Sequence, residues 1–124
     1  MPGSLALGFD TVSVPRIELA LLRGGERFLT RVFTPLELSA DRSAGFLASR
    51  FAAKEAFFKA LGTGLTGGVS WLDLEVPPGG GSPPRPRVSG RSLELLAGRE
   101  VMASISRTAR TAVAVVLLAP TEEG

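Results

Sequence analysis

The sequence contains no histidine, no cysteine and no tyrosine among its 124 residues. These absences exclude a serine–histidine or cysteine–histidine nucleophile, a zinc site built from thiolates or imidazoles, a disulfide framework and a tyrosine acid. Lysine is also scarce, since only Lys54 and Lys59 accompany 12 arginines. If the protein is an enzyme, its acid–base groups are therefore aspartate, glutamate or lysine, and a metal ion that takes oxygen ligands can assist them.

Composition describes a folded globular protein of one domain. Hydrophobic residues make up 44% of the chain, charged residues make up 21%, and the net charge is only +2. A general nucleic-acid binder usually carries a larger basic excess or a basic run, and the sequence has neither. A membrane span needs about 20 apolar residues, far more than the run at 113–119 offers. No charged-then-apolar leader opens the sequence, so we expect no secretion signal and a cytoplasmic protein.

The pattern of apolar residues predicts an α+β fold, in which a small antiparallel sheet packs on one long central helix. Residues 5–14 are predicted to form the first strand, with a bulge or a strand end near Asp10, because the apolar positions change parity there. Helices are predicted at 15–22, 26–32, 44–61 and 91–98. Further strands are predicted at 71–76, 86–89, 101–106 and 111–118, the last two as a terminal hairpin, with a solvent loop at 77–84.

Capping signals mark one further helix start and one of the starts already predicted. Thr34 is followed by Pro35 and, three residues after Thr34, by Glu37, which is the pattern of a capping box with proline at the first helical position. Ser89 is expected to cap the helix predicted at 91–98. Both signals are structural and indicate nothing about function.

Two carboxylates stand out against apolar surroundings. Asp10 interrupts an apolar strand, where a carboxylate is costly unless it is paired or bound to a cation. The alternative is a turn aspartate at a strand end. Glu55 lies in the largely apolar helix predicted at 44–61, and Lys59 follows it at the spacing of an ordinary surface ion pair. Each residue taken alone is therefore consistent with a purely structural role.

Together, Asp10 and Glu55 suggest a metal site. Mg²⁺ typically uses one or two carboxylates and takes its other ligands from water and substrate phosphates, and Mn²⁺ also suits oxygen ligands. Lys59, one turn after Glu55, would then neutralise a phosphate. Gly62 and Gly64 follow at the helix end, where the backbone can approach a ligand closely. A simple helix cap and loop is the alternative interpretation of these glycines.

Several blocks of the sequence resemble the holo-acyl-carrier-protein synthases, the small bacterial type of 4′-phosphopantetheinyl transferase. The longest is residues 48–64, ASRFAAKEAFFKALGTG, and the similarity covers nearly the whole chain. The other matching blocks are residues 8–10, 26–28, 33–38, 69–76, 86 and 89–90, and the last hairpin. The resemblance implies one transferase domain over residues 1–124, with the 4′-phosphopantetheinyl transferase fold. It also implies transfer of the phosphopantetheine arm of coenzyme A to a serine of apo-acyl carrier protein, with release of adenosine 3′,5′-bisphosphate.

The resemblance also assigns roles to individual residues. It implies that Asp10, Glu55 and Lys59 are catalytic, with Asp10 and Glu55 as the metal ligands and Lys59 on a phosphate. Asp10 is the candidate base for the serine hydroxyl. On the residues alone, Arg16, Arg23 and Arg27 leave open a solvated face or a docking surface for an acidic partner, and the resemblance makes Arg16 and Arg23 carrier-protein contacts. The coenzyme A contacts implied are Arg50, Phe51, Lys59, Gly62, Gly64, Pro86, Arg107 and Thr108. A homotrimer with sites between subunits is implied as well, and a part in fatty-acid biosynthesis, with secondary metabolism left open.

One position departs from the family pattern. Arg107 follows Ser104, Ile105 and Ser106 at the place where the family usually has a histidine. A guanidinium can bind a phosphate because it is always charged and multidentate, but it cannot act as a neutral base. This departure leaves open a diverged module that binds coenzyme A or a carrier protein without turnover. A small RNA-binding domain is a third hypothesis, disfavoured by the near-neutral charge and the lack of a basic–aromatic face.

Overall fold

The computed structural model describes residues 3–79, 83 and 85–121 and has the predicted α+β architecture. Residues 80–82 and 84 of the loop predicted at 77–84 lie outside the described residues. The elements are β1 (Ala6–Ser13), α1 (Val14–Val32), α2 (Pro35–Ala40), α3 (Ala44–Leu61), a 3-10 turn (Trp71–Asp73), β2 (Leu74–Glu75), β3 (Arg87–Val88), α4 (Gly90–Leu96), β4 (Glu100–Arg107) and β5 (Thr111–Ala119). Over the part of the chain that the structure describes, no helix is both long and apolar enough to cross a membrane.

The main sheet is antiparallel with the strand order β1–β5–β4, which confirms the terminal hairpin. The bulge or strand end predicted near Asp10 is wrong, because β1 pairs with β5 without interruption from Ala6 to Ser13 and Asp10 lies opposite Ala114. The change of parity has a different cause. Leu7 and Phe9 point outward and are 64% and 54% exposed, so the apolar residues at the start of β1 do not face the core.

Gly8 explains how β1 and α3 come so close together. It is buried on the inner face of β1, two residues before Asp10. A Cβ atom on Gly8 would lie 1.8 Å from the carbonyl oxygen of Ala56 and 2.9 Å from the amide nitrogen of Ala60, so only glycine fits here. The backbones of strand and helix are therefore in contact, and this contact places Asp10 against the C-terminal half of α3.

The prediction that α3 is central and largely buried is confirmed. Ser43 caps its first turn, and Gly62 ends it in the left-handed conformation with φ of 81°. Glu55 and Lys59 are the residues between 46 and 60 that are not buried. These two polar side chains mark the side of the helix that faces the candidate site.

The break predicted between the first two helices is confirmed as a kink within α1. Gly25 has non-helical dihedral angles there (φ 51°, ψ −134°). The capping box at the start of α2 is also present, since the Thr34 amide donates to Glu37 Oε1 at 2.9 Å and the Glu37 amide donates to Thr34 Oγ1 at 3.2 Å.

Two predicted elements differ in detail around Asp73. The strand predicted at 71–76 is a strand only at Leu74–Glu75. Ser70 and Asp73 form a capping box, and residues 71–73 form a 3-10 turn instead of extended strand. Ser89 makes no side-chain cap on α4. Asp73 caps the first turn of α4 instead, because its carboxylate accepts hydrogen bonds from the amide and the hydroxyl of Ser92.

Candidate active site

Asp10 and Lys59 meet across 49 positions of sequence, with Asp10 on β1 and Lys59 in the last turn of α3. Lys59 Nζ lies 2.9 Å from Asp10 Oδ1 and 3.3 Å from the Phe9 carbonyl oxygen. Asp10 sits within the strand, so the alternative of a turn aspartate at a strand end is wrong. Among the described residues, the ion pairs join Lys59 to Asp10 and Glu55 to Arg16 instead of joining the helical neighbours Glu55 and Lys59.

Glu55 is the group at this site whose pKa is shifted most. Its Oε1 lies 3.6 Å from Arg16 Nη1, is buried, and accepts no hydrogen bond. Burial, followed by the hydrogen bond and the negative charge of Asp10, raises the pKa of Glu55 to about 7, against the opposing charges of Arg16 and Lys59. A carboxylate oxygen that is buried without a hydrogen-bond donor is well placed to accept a cationic ligand.

The donor set fits Mg²⁺. Asp10 and Glu55 supply two carboxylates from two different elements, and Oε1 of Glu55 is free of hydrogen bonds. No cluster of three or more acidic residues that could hold a metal ion occurs within the described ranges. Mg²⁺ needs no such cluster, because it keeps several waters and takes phosphate oxygens as ligands. A fully protein-ligated ion would not be satisfied by this pair.

A cavity of about 380 Å³ opens beside these groups. Its volume is in the range of small-molecule sites. Its lining residues are Arg16, Phe51, Glu55, Phe58, Lys59, Gly64, Leu65 and Trp71. Three aromatic and cationic groups form one wall: the Arg16 guanidinium lies 5.1 Å from the centre of the Phe51 ring, and the Phe51 ring stacks on the Trp71 ring at 4.8 Å.

The sequence predicted five of the eight lining residues but missed Phe58, Leu65 and Trp71. The sequence pattern predicts Trp71 as the start of a strand and as part of the matching block 69–76, and it assigns no site role to this single tryptophan of the chain. Gly64 lines the cavity, whereas Gly62 forms the helix cap, with its amide bonded to the carbonyls of Phe58 and Lys59. The amide of Gly64 also donates to the Phe58 carbonyl, at 3.4 Å, so both glycines belong to the helix cap and only Gly64 of the two lines the cavity.

The other predicted coenzyme A contacts lie elsewhere on this chain. Arg50 and Arg107 line a separate cavity of about 210 Å³. The Arg50 guanidinium donates to the carbonyls of Val76 and Pro77 at 2.9 Å each, and Arg107 Nη1 lies near Gly45. Pro86 lines a third groove beside α4. Thr108 closes the β4–β5 turn, where its Oγ1 accepts from the amides of residues 110 and 111.

The two predicted carrier-protein contacts are also separated. Arg16 lies at the mouth of the cavity beside Glu55. Arg23 lies farther along α1, where it lines a depression of about 320 Å³ together with Arg27, Phe28 and Arg31 at the Gly25 kink. The structure thus adds Arg31 to the arginines that the sequence singled out on this helix.

Comparison with known proteins identifies the family of this chain. Residues 6–115 match the family model of the 4′-phosphopantetheinyl transferase superfamily. The chain is 43% identical over 121 residues to the holo-[acyl-carrier-protein] synthase of Koribacter versatilis, covering 92% of this chain and 97% of that protein. The corresponding protein of Halorhodospira halophila is 45% identical over 119 residues, with coverage of 90% and 94%.

Solved structures agree with the sequence matches. The fold superimposes on the Helicobacter pylori holo-[acyl-carrier-protein] synthase, crystallised with coenzyme A, with a TM-score of 0.83 at 32% identity, covering 91% of this chain and 99% of that chain. The Neisseria meningitidis synthase gives a TM-score of 0.79 at 35% identity, with coverage of 91% and 96%. The chain therefore belongs to the 4′-phosphopantetheinyl transferase superfamily and, within it, to the holo-[acyl-carrier-protein] synthases.

Proposed function

We propose that this chain transfers the 4′-phosphopantetheine group of coenzyme A to a serine of apo-acyl carrier protein and releases adenosine 3′,5′-bisphosphate, with Mg²⁺ as the metal. The observation that carries the proposal is that Glu55 and Lys59 line one cavity, that Asp10 contacts Lys59 at 2.9 Å, and that Glu55 Oε1 is buried without a hydrogen-bond donor. The cytoplasmic location and the role in fatty-acid biosynthesis that were expected from the sequence belong to the same proposal.

Each of the three residues has a distinct task in this reaction. Asp10 and Glu55 would hold the metal, and a bound Mg²⁺ would neutralise the charge that develops on the pyrophosphate oxygens. Asp10 accepts the proton of the carrier serine hydroxyl, while the serine oxygen forms a bond to the phosphorus next to pantetheine. The bond between that phosphorus and the oxygen of the adenosine-bearing phosphate breaks. Lys59 then stabilises the negative charge on the departing adenosine bisphosphate.

Lys59 is able to serve both the carboxylate and the phosphate. Its side chain is 56% exposed although its ammonium bonds to Asp10, so it can turn toward a ligand without breaking core packing. The aromatic wall formed by Phe51 and Trp71 offers an apolar surface for the pantetheine arm. The cavity thus pairs a charged end with an apolar end, as a phosphate-bearing substrate with an organic arm requires.

Carrier-protein docking is proposed on α1. Arg16 lies beside the cavity, and Arg23, Arg27 and Arg31 continue a positive strip along the same helix. Carrier proteins are acidic, and a surface of opposite charge accelerates encounter and sets orientation. Because Arg16 is also the partner of Glu55, a carrier bound at this strip would present its serine at the cavity mouth.

A homotrimer with shared sites is part of the proposal. The outer face of the sheet is apolar where Leu7 and Met102 flank Leu117 and where Phe9 lies opposite Val115. Leu7, Phe9 and Met102 are exposed in the single chain, and apolar patches of this kind mark association surfaces. The separation of Arg50, Arg107, Pro86 and Thr108 from the main cavity also supports a site completed by a neighbouring subunit.

The direct test follows both products of the reaction. Purified protein is incubated with coenzyme A, Mg²⁺ and an apo-acyl carrier protein, and carrier mass and free adenosine 3′,5′-bisphosphate are measured together. We expect equal amounts of modified carrier and nucleotide, loss of both in excess chelator, and loss of both in Asp10→Asn. Coenzyme A binding without either product from any cognate carrier would favour a binding module and refute the proposed transfer.

A further inference from the structure

Lys54 lies next to Glu55 in α3 but points away from the cavity into the protein interior. Its side chain is fully buried, and its ammonium contacts three oxygens. Glu37 Oε1 and the Trp71 carbonyl oxygen each lie 3.0 Å from Nζ, and the Leu74 carbonyl is the third acceptor. Three acceptors match the three N–H groups of an ammonium, which offsets the cost of burying its charge.

Glu37, the partner of Lys54, also accepts hydrogen bonds from the backbone of two different segments. Its Oε1 also accepts from the Thr34 amide at 2.9 Å, and its Oε2 accepts from the Val76 amide at 2.8 Å. The pair of Lys54 and Glu37 therefore makes three backbone contacts with the segment 71–76. The regular structure of that segment is short, a 3-10 turn of three residues followed by a strand of two, so these contacts add to those that Arg50 and Ser92 make with it.

The segment matters because Trp71 forms part of the cavity wall. The Trp71 ring stacks on Phe51 at 4.8 Å and meets Phe58 edge-on at 5.9 Å. Lys54 binds the main-chain carbonyl of the same tryptophan. Lys54 thus contacts the backbone of residue 71 without lining the cavity, whereas Trp71 itself lines the cavity together with Glu55 and Lys59.

We propose that Lys54 is a positioning residue for the cavity: paired with Glu37, it fixes segment 71–76 and so places the Trp71 ring as a wall of the coenzyme A site. The identity of the ligand rests on the proposed function. An aromatic wall contacts ground state and transition state alike, so its displacement raises KM and leaves kcat nearly unchanged. We expect the KM for coenzyme A to rise about tenfold in Lys54→Met, which corresponds to the loss of one aromatic contact.

Trp71 makes the test independent of activity, because it is the only tryptophan in the chain. Its fluorescence and near-ultraviolet circular dichroism are recorded in Lys54→Met and in Lys54→Met combined with Glu37→Gln, which leaves no unpaired buried charge. The matched control is Val116→Ala, a fully buried β5 position that lies outside segment 71–76. We expect a red-shifted emission and a weaker aromatic dichroism in both Lys54 variants but not in the control.

The outcomes separate this inference from the proposed function. If the control changes Trp71 emission and KM as much as the Lys54 variants do, or if the Lys54 variants change neither, the positioning role is wrong. A wild-type protein without transferase activity would refute the proposed function, while the Trp71 spectra would still test the placement of the ring. If neither Lys54 variant folds, hydrogen exchange of the wild type decides: the Val76 amide should be protected as strongly as the core of α3, and rapid exchange would overturn the inference.

Discussion

Gly8→Ala tests the contact that brings the two halves of the site together. The added Cβ would lie 1.8 Å from the Ala56 carbonyl oxygen, whereas ordinary contact begins near 3.4 Å, so strand and helix must separate by about 1.6 Å. Backbone atoms cannot rotate away from this clash as the end of a side chain can. The displacement therefore acts directly on the geometry between Asp10 and the turn that carries Glu55 and Lys59.

Both activity and stability should respond. A shift of this size exceeds the tolerance of the 2.9 Å contact between Asp10 and Lys59. Since a misplacement of about 1 Å can cost about 100-fold in rate, we expect transfer by Gly8→Ala to fall by roughly 100-fold. Overpacking costs about 1–3 kcal/mol, which lowers the Tm by about 4–12 °C.

The assay is the initial rate of carrier modification at saturating coenzyme A, with thermal unfolding of the same samples. Thr11→Ala is the control, because Thr11 lies on β1 but faces outward and is exposed. It should keep nearly the wild-type rate and Tm. A Gly8→Ala protein with wild-type rate and Tm would show that the close approach of β1 and α3 does not set the geometry of the site.

Three other predictions concern charge and association. In metal-free protein, the pKa of Glu55 is raised from 4.5 to about 7, so its contribution to stability is present below pH 4.5 and is lost as pH rises through 7. Chemical unfolding at a series of pH values should therefore show Glu55→Gln gaining stability relative to the wild type across this range. A stability difference that does not change with pH would contradict the assignment. Reversing Arg16 and Arg23 to Glu should raise the KM for the carrier at least tenfold more than the KM for coenzyme A, and equal changes would argue against docking on α1. Phe9→Lys should dissociate the oligomer, as measured by sedimentation velocity, and reduce transfer. The control Leu22→Lys changes an exposed leucine of α1 and should leave the oligomer intact. An intact oligomer in Phe9→Lys would show that the association surface lies elsewhere.

The sequence predicted α3 and its ends well because local signals determine them. An apolar segment without proline, a serine cap and a terminal glycine all act within a few residues of one another. The partner of Lys59 could not be found in this way. Helical spacing suggested Glu55, but the strand that crosses α3 brings in Asp10 from 49 positions away.

The bulge or strand end predicted near Asp10 is the main error of the sequence-based interpretation. It rests on the rule that alternating apolar residues keep to one face of a strand, and this rule fails where a helix approaches the strand at backbone distance. Gly8 then has to face inward, so Leu7 and Phe9 face outward. The alternation of apolar residues also gives no reason to connect Trp71 with the site. The position of the Trp71 ring in the cavity wall depends on Lys54 and on the 3-10 turn that begins at residue 71.

The most direct test of the central claim is the intact mass of apo-acyl carrier protein after incubation with coenzyme A, Mg²⁺ and either the wild type or Glu55→Gln. The claim is that Asp10, Glu55 and Lys59 form one phosphopantetheinyl transfer site. It predicts that the wild type adds the mass of one phosphopantetheine group to the carrier, and that folded Glu55→Gln adds none. An unmodified carrier with folded wild-type protein, or full modification by Glu55→Gln at the wild-type rate, would contradict it.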